Sequence, residues 1–277
     1  MYREKLAMMK NTYRTIYGAI AGDIIGSMYE FRSVKSKDFK LFPYGACFTD
    51  DTVMTLAIAR WLMEDVTRSE YTLVDTMCEF GNRYPAVGYG ALFCNWLCND
   101  PTPYNSWGNG SAMRVSAVGL VAKTLDECLR LAKQTAAVSH NHPEGIKGAK
   151  AVASAVFLAA NGADKDEIRR YIEDNYYTLD FTIDEIRPSY YFDVSCQGSV
   201  PQAIECFLES TDFEDTVRNV VSIGGDCDTT GAMAVAVAYA YYKRLGGEYK
   251  EQAEEFTNVI KQKFLPAEFV EIAEKLN

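Results

Sequence analysis

The sequence predicts an all-α fold, on three observations. No segment alternates apolar and polar residues over the length of a strand. Apolar residues instead recur at helical spacing nearly throughout. Several of these stretches open with cap chemistry: Thr124-Leu-Asp-Glu127, Asp164 with Glu167, and Thr211 with Glu214. With 277 residues, 48% of them hydrophobic, the chain can bury a sizeable core, and residues 1–277 are read as one domain.

The first helix is expected over 14–29. Gly18, Gly22 and Gly26 recur on a four-residue beat, which suits close helix packing. The segment is too short for a membrane span and carries Asp23, so it reads as a tightly packed buried helix. Glu30 follows at the C-terminal end, where a carboxylate meets the unfavourable pole of the helix dipole. It reads either as a residue with a cation partner or as a solvated terminal glutamate. Residues 31–46, with Pro43 and Gly45, are irregular. Thr49, Asp50 and Asp51 then open a helix running to about Val66, and a further helix covers about 70–82. Residues 84–110 are rich in Gly, Pro, Asn and aromatics and are read mostly as loop. They end in Trp107-Gly-Asn-Gly-Ser-Ala-Met-Arg114, where Gly108 and Gly110 flank Asn109 ahead of the next helix. That start suits backbone contact with a phosphate or sugar, and a plain turn with an N-cap explains it as well.

Thr124 opens a helix to about Val138. Ser139-His-Asn-His-Pro-Glu-Gly145 is a break, after which Pro143 starts a helix to about Ala160. His140 and His142, the only histidines, read either as hydrogen-bonded loop residues or as ligand contacts. Asp164 starts a charged helix to about Asn175, and 178–198, with Pro188, receives no firm element. Pro201 to Leu208 reads as helical, and Thr211 with Glu214 caps the helix leading to Gly224-Gly225. Two amphipathic helices, about 249–264 and 266–276, close the chain.

The chemistry concentrates at Ser222-Ile-Gly-Gly-Asp-Cys-Asp-Thr-Thr-Gly231, which opens a long apolar helix. Asp226 and Asp228 stand two residues apart, with Thr229 and Thr230 beside them. Helix capping needs one such residue, and this turn offers four. Carboxylate and hydroxyl oxygens are also what Mg²⁺ or Mn²⁺ prefers. With Thr49, Asp50 and Asp51 at a second helix start, a two-metal cradle is the expectation. If Asp50, Asp51, Asp226 and Asp228 converge, each close pair costs about 4 kcal/mol at an effective dielectric near 20. The sum exceeds the ~5–15 kcal/mol net stability of a domain, so protons or divalent cations must neutralise the group.

A net charge of −10 argues against a protein that grips a nucleic-acid backbone. The eight cysteines are scattered, with no C-x-x-C pair, and read as reduced thiols of a cytoplasmic protein. Neither a secretory signal nor a membrane span is expected. All-α prenyl-diphosphate chemistry needs paired Asp-rich runs with acids one helical turn apart, but Val53 and Met54 follow Asp50-Asp51. Histidine-rich metal phosphohydrolases need more than two histidines.

Four blocks in order resemble the ADP-ribosylglycohydrolase family: Gly18 to Gly26 with Glu30, Phe48-Thr-Asp-Asp-Thr52, Gly108-Asn-Gly-Ser-Ala-Met-Arg114, and Gly224-Gly-Asp-Cys-Asp-Thr-Thr230. Ser139-His140 is a weaker fifth match. The resemblance implies a compact orthogonal helical bundle with two divalent cations, Mg²⁺ or Mn²⁺, at the base of a cleft. It further implies hydrolysis of the bond joining ADP-ribose to its acceptor, on a modified protein, arginine-linked foremost, or on a small ADP-ribosyl molecule. By matching position, Thr49, Asp50, Asp51, Asp226, Asp228 and Thr229 resemble metal ligands, and Asp50, Asp226 and Glu30 the catalytic acids, with Glu30 the leading proton acceptor. Gly108, Asn109, Gly110 and Ser111 resemble the diphosphate and ribose cradle, with His140 a ligand contact and Trp107 beside the adenine or its ribose. Cys227 stands where the family usually has Thr or Ser. A binding or immunity module that keeps the cleft without turnover is the non-enzymatic alternative.

Overall fold

The computed structural model describes residues 15–276. Among them the chain is helical with no strand, and Gly108 and Ser195 form an isolated antiparallel bridge. In chain order the helices begin with α1 Tyr17–Gly26, α2 Asp50–Glu64, α3 Glu70–Arg83, α4 Ala91–Cys98 and α5 Gly110–Met113. Next come α6 Ser116–Val121, α7 Leu125–Ala137, α8 Pro143–Asn161, α9 Lys165–Asn175 and α10 Ile183–Ile186. The last are α11 Cys196–Leu208, α12 Phe213–Ile223, α13 Cys227–Leu245, α14 Gly247–Lys263 and α15 Ala267–Lys275. No helix among the described residues is long and apolar enough to cross a membrane.

The molecule is built on the pair α1 and α13. Cys227 to Ala240 is buried without interruption, which suits a helix apolar all round. The glycine beat of α1 is what lets the two backbones touch. A Cβ on Gly18 would lie 2.5 Å from Tyr239 Cβ, one on Gly22 2.1 Å from the Gly231 carbonyl oxygen, and one on Gly26 2.2 Å from that of Cys227. Those pairings run in opposite directions along the chain, so α1 and α13 are antiparallel. The C-terminal end of α1 therefore meets the N-terminal end of α13, and Asp23 and Glu30 are carried to Asp226 and Asp228. Helices α8, α11, α12 and α14 pack around α13, while α2 packs on α3, α6 and α15. Trp61, Trp96, Phe80, Phe207, Phe213, Phe269 and Tyr239 are fully buried, each worth roughly 1.5–3 kcal/mol of apolar transfer.

Four expectations are corrected. The segment 84–110 holds α4, whose Phe93, Trp96 and Leu97 are buried on one face. Its helical spacing was hidden by the surrounding Gly, Pro and aromatics. Within 178–198, Thr182 and Glu185 form a capping box that starts the short α10. Helix α11 begins before Pro201, at Cys196, with Ser195 Oγ accepting from Gly198 N–H at 3.1 Å. Pro201 is tolerated there because the carbonyl it leaves unbonded, four residues back, belongs to exposed Gln197. The cap of α12 is Asp212, not Thr211: its carboxylate accepts from Asp215 N–H at 2.8 Å, while the Asp215 carboxylate accepts from Thr211 N–H at 3.0 Å.

Candidate active site

A cavity of about 450 Å³ opens between α2, α4, α5 and α13, with Glu30, just past α1, on its wall. Its acidic wall comes from three places. Thr49 N-caps α2, its hydroxyl accepting from Asp51 N–H at 3.3 Å. Asp51 points inward beside Thr229, whose hydroxyl donates to Asp51 Oδ2 at 3.1 Å across 178 positions of sequence. Asp226 is the N-cap residue of α13, yet its side chain makes no capping bond. It accepts instead from Asn109 Nδ2 at 2.7 Å. Capping alone therefore does not account for this turn.

The turn is held from both sides. Gly224 and Gly225 have φ of +73° and +80°, which only glycine adopts freely. A Cβ on Gly224 would meet Ser33 Oγ at 2.3 Å, and one on Gly225 the Tyr190 ring at 2.8 Å. Lys35, itself at φ +53°, donates through Nζ to the carbonyls of Ile223 and Tyr190. Phe31, next to Glu30, stacks on Phe192 with ring centroids 5.6 Å apart. The segment after Glu30 and the segment 190–192 thus clasp the turn that leads into Asp226.

The carboxylates form two triads that share Asp228. Asp23, Asp51 and Asp228 each offer an oxygen within 4.8 Å of the others, and so do Glu30, Asp226 and Asp228. Among the described residues no lysine or arginine forms an ion pair with any of them. Burial, and then the neighbouring Asp23, push Asp50 up to about 7. Burial followed by the Asp226 charge does the same to Glu30, also to about 7. Asp51 and Asp228 are driven well above the usual carboxylate range by burial and by the acids around them. Burial lifts Asp23 to about 6, against the pull of hydrogen bonds from Thr52 and Thr49.

The donor set fits hard divalent cations. The oxygens are carboxylate and hydroxyl, the buried Asp51 Oδ1 has no hydrogen-bond partner, and among the described residues no lysine or arginine pairs with either triad. These are the features an oxygen-liganded Mg²⁺ or Mn²⁺ site requires.

Most of the residues named from sequence meet here. Glu30, Thr49, Asp50, Asp51, Gly108, Asn109, Gly110, His140, Asp226, Asp228 and Thr229 all line the cavity. Asp50 does so outside both triads. Ser111 does not line it: the side chain is buried and its hydroxyl turns into the core, donating to the Gly145 carbonyl at 2.7 Å. Trp107 is 53% exposed and lies edge-on to His142 at 5.5 Å, outside the cavity lining. His142 has a structural task, its Nδ1 accepting from Glu144 N–H at 3.1 Å as the N-cap of α8.

Asp23 is the residue that sequence reasoning missed. Its carboxylate accepts from Thr49 N–H, Thr49 Oγ1 and Thr52 N–H at 2.9, 2.8 and 3.0 Å, tying α1 to the start of α2. The available signal was a lone acid in the middle of a glycine-spaced apolar helix.

The family model for ADP-ribosylglycohydrolase matches residues 7–275. The human protein ADP-ribosylhydrolase ARH3 is 26% identical over 302 residues, covering 81% of this chain and 83% of its own. Its chicken counterpart is 27% identical over 308 residues, with 81% and 83% covered. A solved ADP-ribosylglycohydrolase-related protein complex has the same fold, with a TM-score of 0.64 at 20% identity over 93% of this chain and 99% of the other. A match over nearly the whole length, on a chain whose dispersed acids converge on one cavity, makes this protein a member of the ADP-ribosylglycohydrolase family, enzymes that hydrolyse ADP-ribose linkages.

Proposed function

We propose that the cleft uses two divalent cations, Mg²⁺ or Mn²⁺, to remove ADP-ribose from modified protein, with arginine-linked substrate favoured over small ADP-ribosyl molecules. One observation carries the reading: two carboxylate triads, all but Glu30 buried, share Asp228 beside a cavity that the Gly108–Gly110 turn also lines, with Asn109 of that turn bonded to Asp226. The arginine preference is supported by the net charge of −10, which favours a cationic acceptor.

Asp23, Asp51 and Asp228 would hold one cation and Glu30, Asp226 and Asp228 the other, with the Thr49 and Thr229 hydroxyls alongside. Bound there, such ions lower the pKa of a coordinated water and balance the charge of the acids. The protein's own groups do the rest. Asn109 fixes the Asp226 carboxylate through its amide. The glycine turn leaves the His140 ring edge open to the diphosphate and ribose, while its Gly108 and Asn109 N–H groups are already given to Ser106 Oγ and the Val194 carbonyl, and Trp107 would lie beyond it on the adenine side. The ribose–acceptor bond breaks with oxocarbenium character. Glu30, at the edge of the second triad, accepts the proton of the attacking water and passes it to the departing acceptor.

The test is a panel of arginine-, serine- and O-acetyl-linked ADP-ribose, followed by release of free ADP-ribose with Mg²⁺, with Mn²⁺ and with chelator. Cation-dependent release, fastest from arginine, is expected. Release unaffected by chelation rejects the metal assignment, and serine-first release rejects the acceptor. Binding without release from any member makes the protein a binding module.

A further inference from the structure

The neighbours of His140 define which of its ring nitrogens carries the proton. Arg114 is fully buried, and its Nη2 donates to Ser139 Oγ at 2.7 Å and to the Thr135 carbonyl at 2.8 Å. Ser139 Oγ in turn lies 2.8 Å from His140 Nδ1. A guanidinium can only donate, so Ser139 Oγ accepts from Arg114 and its one hydrogen is left for Nδ1. The opposite tautomer would send two donors to Oγ and leave the hydroxyl hydrogen stranded in the core, an unmade bond that a buried group avoids. The ring is buried beside the Arg114 charge, and both hold it neutral by pushing its pKa well down. With Nδ1 accepting, the proton sits on Nε2. That nitrogen faces the glycine turn: a Cβ on Gly110 would stand 3.1 Å from it and one on Gly108 3.6 Å.

We propose that Arg114 and Ser139 are positioning residues that lock His140 in the Nε2–H tautomer, presenting a fixed neutral donor at the Gly108–Gly110 turn. The donor suits an acceptor-only ligand group, here an oxygen of the diphosphate, and for that ligand the inference rests on the ADP-ribose reading above. The glycines leave the Nε2 edge room to reach the ligand, and the fully buried Arg114 gives the relay a rigid anchor.

Ring ¹⁵N spectra of histidine-labelled protein read the tautomer directly. The chain has 2 histidines, so His142→Gln assigns both sets of signals. Wild type is expected to give a pyrrole-type Nε2 and a pyridine-type Nδ1 for His140 at neutral pH. Ser139→Ala should give mixed tautomers and bind ADP-ribose about tenfold more weakly, the worth of one oriented hydrogen bond. Ser139→Thr, which keeps the hydroxyl, should restore both. The inference is overturned if wild-type His140 carries its proton on Nδ1, if Ser139→Ala holds the wild-type tautomer, or if the tautomer changes while ADP-ribose affinity does not. Should Ser139→Ala not fold, the wild-type spectrum decides. A protein that cleaves no ADP-ribosyl linkage yet shows the Nε2–H tautomer would refute the proposed reaction and leave the tautomer assignment standing.

Discussion

Asp226 shows how much of the site depends on single oxygens. Its carboxylate is buried, is oriented by Asn109 and belongs to the triad with Glu30 and Asp228. Asp226→Asn keeps the shape and removes the charge, so cation affinity and turnover should both fall by at least about a hundredfold, beyond the loss typical of an outer-sphere change. Titration calorimetry with Mn²⁺ beside an ADP-ribose release assay measures the two together. A variant that turns over without cation would end the assignment. At this scale the sequence was legible wherever acids gathered at a helix start, as at Thr49 to Asp51 and Asp226 to Thr229. It was silent on Asp23, whose meaning depends on an antiparallel helix more than two hundred positions away. It was also silent on Lys35, because a lysine in an irregular segment has no pattern until its two carbonyl partners are in place.

Among the elements, α1 and α13 set the tolerance of the whole fold to change. The approach at Gly22 is backbone to backbone, with a Cβ only 2.1 Å from the Gly231 carbonyl oxygen. No rotamer relieves that contact, so Gly22→Ala must separate the helices. It should cost at least the ~1–3 kcal/mol of ordinary overpacking, read as a lowered Tm by circular dichroism. Because the separation also moves Asp23 away from Asp228, cation affinity should drop in the folded fraction. The four-residue beat made the close packing of α1 readable in the sequence, though not its partner. The clasp at Gly224-Gly225 makes a second prediction. Lys35→Met removes both donations to the carbonyls of Ile223 and Tyr190 and frees the turn before Asp226. Cation affinity should weaken about tenfold, as for an outer-sphere change, with Lys35→Arg recovering most of it. Loss of a positive charge acting through space alone would tighten cation binding, so the sign of the change in calorimetry separates the two explanations.

Across the whole molecule, the acids sit where the two central helices and α2 converge, so their repulsion acts on the packing that holds the fold together. An acid whose folded pKa lies above its unfolded value favours the folded state while protonated, and that advantage is lost as pH rises between the two values. The unfolded carboxylates titrate near 4. In the folded chain Asp23 is lifted to about 6 and Glu30 and Asp50 to about 7, by burial first and then by the Asp226 charge for Glu30 and the Asp23 charge for Asp50. In chelator-treated protein the Tm should therefore fall by several degrees as pH rises from about 4 to about 7. Surface acids held low, such as Asp215 beside Lys37, lose their contribution on the acid side of that window and do not oppose the trend within it. Cations need the carboxylates ionised, and by binding the folded state alone they add about 2.7 kcal/mol at a hundred times their dissociation constant. Mg²⁺ or Mn²⁺ should thus raise the Tm little near pH 5 and most near pH 8, flattening the profile that the chelated protein shows. Scanning fluorimetry over that range, with and without chelator, measures both curves. A chelated Tm that climbs from pH 4 to 7, or one indifferent to both cations at pH 8 while ADP-ribose release continues, would mean that the acids at the centre of the fold are neutralised by something other than bound divalent ions.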